Sequence, residues 1–348
     1  MTMKKISTEK IILFLRLHNR ITTSEVARMF NVSRQAAHKT LHGLVEKRMI
    51  VKFGGTRNAY YVLPENVLDE SIAFQKKLQT KNLQEHEVLQ IIERDSQVLS
   101  FLSDNLKSIF DYAFSEMLNN AIDHAYSETA TIKIGKNKNL FFEINDLGIG
   151  IFRSIRDKKK LKSELEAVQE LLKGKTTTMP KAHSGEGIFF TSRVADVFVL
   201  ESFEYRLTID NLQEDIFFEE IKGKGNRKKG TKVSFQIAID SEKHLSDIFQ
   251  KYYSDPNEYA FDKTEIHIKL YTLGTVHVSR SQARRITQNL EKFKEIILDF
   301  DQVPSVGQAF ADEIFRVFQA KHPDIKLIPI NMNEVVEFMV QRALNTRR

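Results

Sequence analysis

The run Phe114-Ser-Glu-Met-Leu-Asn-Asn-Ala-Ile-Asp-His-Ala-Tyr126 carries polar groups that an apolar helix has no packing reason to carry. Read as an α-helix at about 100° per residue, it turns Met117, Leu118, Ala121, Ile122 and Ala125 to a buried side. Glu116, Asn120 and Asp123 then fall within roughly 60° of one another. An amide oxygen on such an edge can ligate a divalent cation, and a carboxylate beside it can orient a water for attack. The same residues would equally suit an ordinary half-exposed helix edge.

Two later stretches add chemistry of their own. Leu140 to Phe152 is β-rich and ends in Asp146-x-Gly148-x-Gly150. A carboxylate at a strand end can accept from an exocyclic amine while the glycines let the backbone turn closely around a ligand, although a tight turn alone would also explain them. Ser184-Gly-Glu-Gly187 opens an apolar helix through Asp196. That geometry points backbone N–H groups and the positive end of a helix dipole at an anion, most naturally phosphate.

Carboxylate helix, Asp-x-Gly-x-Gly strand end and glycine turn, in that order, resemble the N, G1 and G2 boxes of the GHKL ATP-binding superfamily. Its members include gyrase B subunits, heat-shock chaperones, MutL-type repair proteins, sensor histidine kinases and anti-sigma serine kinases. Gly230-Thr-Lys-Val-Ser-Phe235 sits where that family has its Gly-Thr strand, and the resemblance covers residues 96 to 240 or so. It implies ATP and Mg²⁺ as ligands. By the same resemblance Glu116 polarises the attacking water, Asn120 ligates magnesium and Asp146 reads adenine. Gly148 and Gly150 border base and ribose, Gly185 and Gly187 border the phosphates, and Thr231 supports an adenine-bound water. No Gly-x-x-x-x-Gly-Lys-Ser/Thr phosphate loop occurs in the chain, so that competing nucleotide fold has no support.

These residues must be held by a chain of 348 residues, 41% of them apolar, long enough for two or three domains. It has no cysteine, which excludes disulfides, thiolate catalysis and cysteine-ligated zinc. Its ten histidines show no His-Glu-x-x-His or other metal-ligand spacing and read as scattered surface or core residues. No apolar run approaches 18 residues and no signal-peptide core opens the chain, so a cytoplasmic protein without membrane contact is expected. The net charge of +6 is a mild bias toward polyanions.

Residues 1–65 read as a winged helix-turn-helix. Three helices cover residues 6–18, 22–30 and 33–47, and strands at 49–53 and 58–63 flank a Gly54-Gly-Thr-Arg57 hairpin. Arg34, Gln35, His38 and Lys39 project opposite Ala37, Leu41, Leu44 and Val45, as a helix entering a major groove requires, and Lys52, Arg57 and Asn58 would reach phosphates. The alternative is a protein-docking or dimerisation module. Residues 66–95 read as a helical linker, either packed on the next domain or forming the seam of a homodimer. Residues 96–245 would form the GHKL domain, a mixed sheet with helices on one face. Within it, residues 153–183 would be a lid over the triphosphate, and the basic run Lys222 to Lys229 a hairpin tip.

From residue 260 to 348 strands and helices alternate, giving a small α/β domain. Strand Ile296–Phe300 followed by Val303-Pro-Ser-Val-Gly307 resembles the STAS fold of anti-sigma antagonists, and more closely the STAS-like domain found on bacterial ATP-binding proteins. Ser305 matches the phosphoacceptor position there. Pro304 replaces the usual aspartate, and a simple N-cap on a helix Ser305–Ala320 is the alternative. The whole chain is thus expected to be multidomain α+β. The reading is a DNA-binding regulator whose ATPase domain acts as a nucleotide switch. The alternatives are an anti-sigma-type serine protein kinase acting on a STAS-like domain and a non-hydrolysing, ATP-sensing adaptor with a protein partner.

Overall fold

The computed structural model describes residues 6–18, 20–47, 49–53, 59–64, 72–96, 98–100, 102–175, 185–221, 228–255, 257, 260–272 and 279–345. The Gly54–Arg57 tip with Asn58, residues 176–184 of the expected lid, the basic tip at 222–227 and the strand expected near Thr275 lie outside them. The chain divides into two compact units, Met1–Ala73 with Gly135–Asn137, and Phe74–Ile134 with Lys138–Arg348.

In the first unit, helix α1 (Thr8–His18) leads through strand β1 (Arg20–Thr22) to α2 (Thr23–Phe30) and α3 (Arg34–Glu46), followed by β2 (Val51–Phe53) and β3 (Tyr60–Val62). Thr22 and Glu25 cap α2 reciprocally, with Glu25 N donating to Thr22 Oγ1 at 3.3 Å and Thr22 N donating to Glu25 Oε2 at 2.7 Å. Asn31, in the left-handed region at φ 52°, ends α2, and Ser33 Oγ caps α3 by accepting from Ala36 N at 3.2 Å. Ile11, Leu15, Val26, Ala37, Leu41 and Leu44 make the core. The sheet has the order β1-β3-β2, so the expected hairpin is in fact a three-stranded antiparallel sheet. Three residues between two helices give too short a window for the alternation that marks a strand, and pairing with β3 decides it.

In the second unit a seven-stranded sheet has the order β4-β5-β6-β10-β7-β8-β9. Its strands are β4 (Ile72–Gln79), β5 (Thr129–Lys136), β6 (Asn139–Asp146), β7 (Val197–Phe203), β8 (Tyr205–Asp210), β9 (Asp215–Glu220) and β10 (Lys228–Ala238). One apolar core unites this sheet with helices α4 (Glu85–Asp95), α5 (Asp104–Asn119), α6 (Ile151–Lys158), α7 (Glu164–Leu172), α8 (Gly187–Val194) and α9 (Leu245–Lys251). Phe110 and Phe114 of α5 meet Phe142 of β6 edge-on at 5.8 and 5.5 Å, and Phe142 stacks on Phe235 of β10 at 4.9 Å. Each such ring, fully buried, contributes about 1.5–3 kcal/mol. On the alternate positions Glu143 pairs with Lys232 at 2.5 Å and Lys133 at 3.7 Å, a cross-strand polar ladder.

The expected helical linker at 66–95 needs correction. Ile72–Gln79 is the edge strand of the large sheet, and only Glu85–Asp95 is helical. Ile72, Phe74 and Leu78 recur with period two, whereas the intervening Lys76 and Lys77 lend the segment helix-favouring composition and suit an exposed sheet edge.

The C-terminal segment contains a parallel sheet of order β11-β12-β13 (Lys263–His267, Glu295–Asp299, Lys326–Ile330). Its helices are α10 (Lys269–Thr272), α11 (Arg280–Thr287), α12 (Gln308–Ala311), a π-helical stretch Asp312–Phe318, α13 (Gln319–Lys321) and α14 (Glu334–Asn345). Expected as a separate domain, it shares a core with the large sheet. Phe261 and Phe293 join Phe189, Phe190 and Tyr252 in one aromatic cluster. Lys173, 2% exposed, pairs with Glu170 and donates to the Arg285 and Gln288 carbonyls, each at 2.8 Å. Burial depresses Lys173, while Lys173 holds Glu170 below the usual carboxylate range against its own burial. Three acceptors around Nζ favour the charged pair.

Candidate functional site

A cavity of about 310 Å³ opens where α5, the end of β6 and the start of α8 converge. Glu116, Asn120, Asp146, Gly150, Gly185, Gly187 and Thr231 all line it, brought together from separated segments of sequence. Gly148 does not line it, and neither does Asp123. Asn119, His124, Ser154 and Glu186 also line the cavity, although sequence reasoning did not single them out. His124 could have been found, since it follows Asn120 by four residues on the same helical run.

The helix carrying the first of these side chains departs from the expected form. It is α-helical only to Asn119, and Asn120–His124 forms a π-helical turn. The wider turn advances each residue by less than 100°, so the edge computed for a regular helix does not persist to Asp123, which is exposed. Glu116 and Asn120 remain together because the α-helical geometry between them is intact. Asn120 N shares its hydrogen between the carbonyls of Glu116 and Met117.

Asp146 is 4% exposed and accepts from Gly148 N at 2.8 Å and Thr231 N at 3.2 Å, both on Oδ1. Oδ2 is thereby left as the oxygen available to a ligand. Burial pushes this carboxyl above the usual aspartate range, and the two backbone N–H groups only partly oppose that shift. Gly230 makes the second contact possible. At φ 87° it forms the irregularity between Lys228 and Thr231 in β10, and a Cβ there would lie 2.2 Å from the Asp146 carbonyl oxygen. Thr231 Oγ1 in turn accepts from Ile151 N at 2.9 Å, tying the start of α6 to the same corner.

Gly148 serves packing rather than the cavity wall. A Cβ at this position would meet the Ala125 carbonyl oxygen at 1.8 Å, beside the bond from Ile149 N to that oxygen at 2.9 Å. At the opposite end Gly187 lets α8 approach Glu116, whose Oε2 would lie 1.9 Å from an added Cβ. The Tyr112 phenol is driven far above its ordinary value by burial, then by the Glu116 and Glu186 carboxylates, so it stays protonated beside them. Ser154 is 7% exposed, and its hydroxyl has no hydrogen-bond partner among the described residues. An orphan hydroxyl in a cavity wall is a ready contact for a polar ligand.

The other residues singled out from sequence lie elsewhere. Arg34, Gln35, His38 and Lys39 are exposed on α3 and Lys52 is exposed on β2, while Arg57 falls outside the described residues. Ser305 is exposed, but it does not cap a helix: α12 begins at Gln308 with Gly307 at its N-cap. Asn333 Nδ2 donates to the Val303 and Pro304 carbonyls at 2.9 and 3.2 Å, which holds the loop out from the helix start.

Among known families, residues 282–337 match the model of the STAS-like domain of unknown function, DUF4325. A search of curated proteins finds no match to the chain. No helix among the described residues is long and apolar enough to cross a membrane.

Proposed function

We propose that this protein is a DNA-binding regulator in which the cavity binds ATP with Mg²⁺ and hydrolysis resets the switch. The observation that carries the reading is the convergence of Glu116, Asn120, Asp146, Gly185, Gly187 and Thr231 on one cavity. Its volume lies at the lower end of the usual range for small-molecule sites, roughly 300–1,000 Å³. The residues fit the nucleotide: Asp146 offers a buried acceptor to an exocyclic amine, and the orphan Ser154 hydroxyl offers a further polar contact. The N-terminus of α8 at Gly185–Gly187 presents backbone N–H groups to phosphate.

Asn120 would hold magnesium through its amide oxygen, and the ion would neutralise phosphate charge. Glu116 would orient and deprotonate the attacking water, and Gly187, by its lack of a Cβ, keeps that carboxylate against the start of α8. The first unit supports DNA binding as a winged helix-turn-helix, through the exposed row Arg34, Gln35, His38 and Lys39 opposite buried Ala37, Leu41 and Leu44. The exposure of Ser305, within the STAS-like match, favours a second reading, a serine protein kinase whose substrate is a domain of this kind.

Incubation with γ-labelled ATP and Mg²⁺ separates the readings. The switch releases free phosphate, and Glu116→Ala lowers that rate by about 10²–10⁴ while nucleotide binding persists. Label retained on wild-type protein and lost in Ser305→Ala would establish the kinase instead, and neither product would leave an adaptor. Arg34→Ala with Lys39→Ala should weaken binding to a promoter fragment and lower the salt slope by about 2; unchanged affinity and slope would remove α3 from the DNA interface.

A further inference from the structure

The second cluster of chemistry-bearing side chains lies at the carboxyl end of the small parallel sheet, the edge at which open α/β sheets generally take their ligands. Glu265 and His267 are two residues apart on β11 and therefore share a face. The parallel register sets His267 beside Asp299 on β12. One donor atom from each of the three residues lies within 4.8 Å of the others. Sequence spacing could not reveal this set, because Asp299 joins the other two only through strand pairing.

Two features distinguish the cluster from a structural ion-pair network. The Asp299 carboxylate is held from behind, its Oδ1 accepting from Asp301 N and Asn331 Nδ2, each at 2.9 Å. Its Oδ2 lies 3.0 Å from His267 Nδ1. Such outer bonds are what fix a ligating carboxylate in place. Two donor atoms at that 3.0 Å spacing can share one ion at about 2.0–2.2 Å each, the ion taking the Nδ1 and Oδ2 lone pairs in place of the hydrogen bond between them. Finally, Glu265 forms no ion pair among the described residues, although it lies beside a second carboxylate.

We propose that Glu265, His267 and Asp299 form a binding site for a divalent transition-metal ion of the zinc type. Two carboxylates and a neutral imidazole balance a 2+ charge and supply the nitrogen and oxygen donors such an ion prefers. Three protein ligands leave a coordination position open to water or to a ligand of the C-terminal segment. The site is distinct from the nucleotide cavity and does not depend on it.

The test uses full-length protein stripped with a chelator, free of nucleotide and magnesium, and titrated with Zn²⁺ alone by calorimetry. One equivalent should bind, and saturating Zn²⁺ should raise the melting temperature. Glu265→Gln and His267→Gln should each weaken binding by about tenfold or more and abolish the thermal shift. Glu265→Gln is the safer variant because its side chain carries no described ion pair, and an unchanged circular dichroism spectrum certifies its fold. Co²⁺ in place of Zn²⁺ should give a visible ligand-field absorption that His267→Gln removes. Absence of saturable binding, or binding of equal strength in both variants, overturns the site.

Discussion

Glu116 and Gly187 are a matched pair at the scale of single residues, since an added Cβ at Gly187 would run into the Glu116 carboxylate. Gly187→Ala should cost about 1–3 kcal/mol, as over-packing does. Glu116→Ala in the same chain should recover much of that loss, because the obstructing oxygen is gone. Denaturant titration of the two single variants and the double variant measures the coupling; additive losses would place Glu116 away from α8. Asp146 makes a pH prediction. Its carboxyl is raised in the folded state, so the native chain binds that proton more tightly than the unfolded chain. Stability should therefore fall as pH rises from the ordinary aspartate range through the raised value, and Asp146→Asn should flatten that slope. A variant whose slope matches wild type would show that this carboxyl is not the group that titrates.

At the scale of elements, the junction between α7 and α11 rests on a charged group with almost no access to water. Lys173→Met should destabilise by about 3–5 kcal/mol, because Glu170 would be left buried and unpaired. Adding Glu170→Leu should restore part of the loss, and a chemical denaturation series reads both. If Lys173→Met were neutral, the pair would not be buried as described. Much of the cavity lining was legible in the sequence because each segment carries its polar residues within a short window: Glu116 and Asn120 one helical turn apart, Asp146 at a strand end, Gly185 and Gly187 before a helix. The caps at Thr22 and Ser33 were legible for the same reason. The π turn at Asn120–His124 was not, since nothing in those residue types distinguishes it from α-helix. Edge strand β4 was hidden by lysine-rich composition. The packing role of Gly148 and the company of Asp299 depend on contacts between distant parts of the chain.

At the scale of the molecule, sequence suggested a boundary near residue 250, and the folded chain has a continuous core across it. Phe261, itself packed on Phe293, covers Phe189 and Phe190 of α8, the helix whose first residues line the cavity. A chain truncated after residue 245 would expose those rings and lose the partners of Lys173. It should aggregate or unfold, whereas two independent domains would leave the remainder with its own unchanged melting transition.

The central claim, that the cavity is built for a magnesium-bound adenine nucleotide, is tested most directly by titrating ATP with Mg²⁺ into full-length wild type and Asp146→Asn and following the heat of binding. Wild type should saturate at one nucleotide per chain, and the variant should bind at least about tenfold more weakly, a loss of about 1.4 kcal/mol. No saturable binding to wild type, or equal affinity in the two proteins, would contradict it.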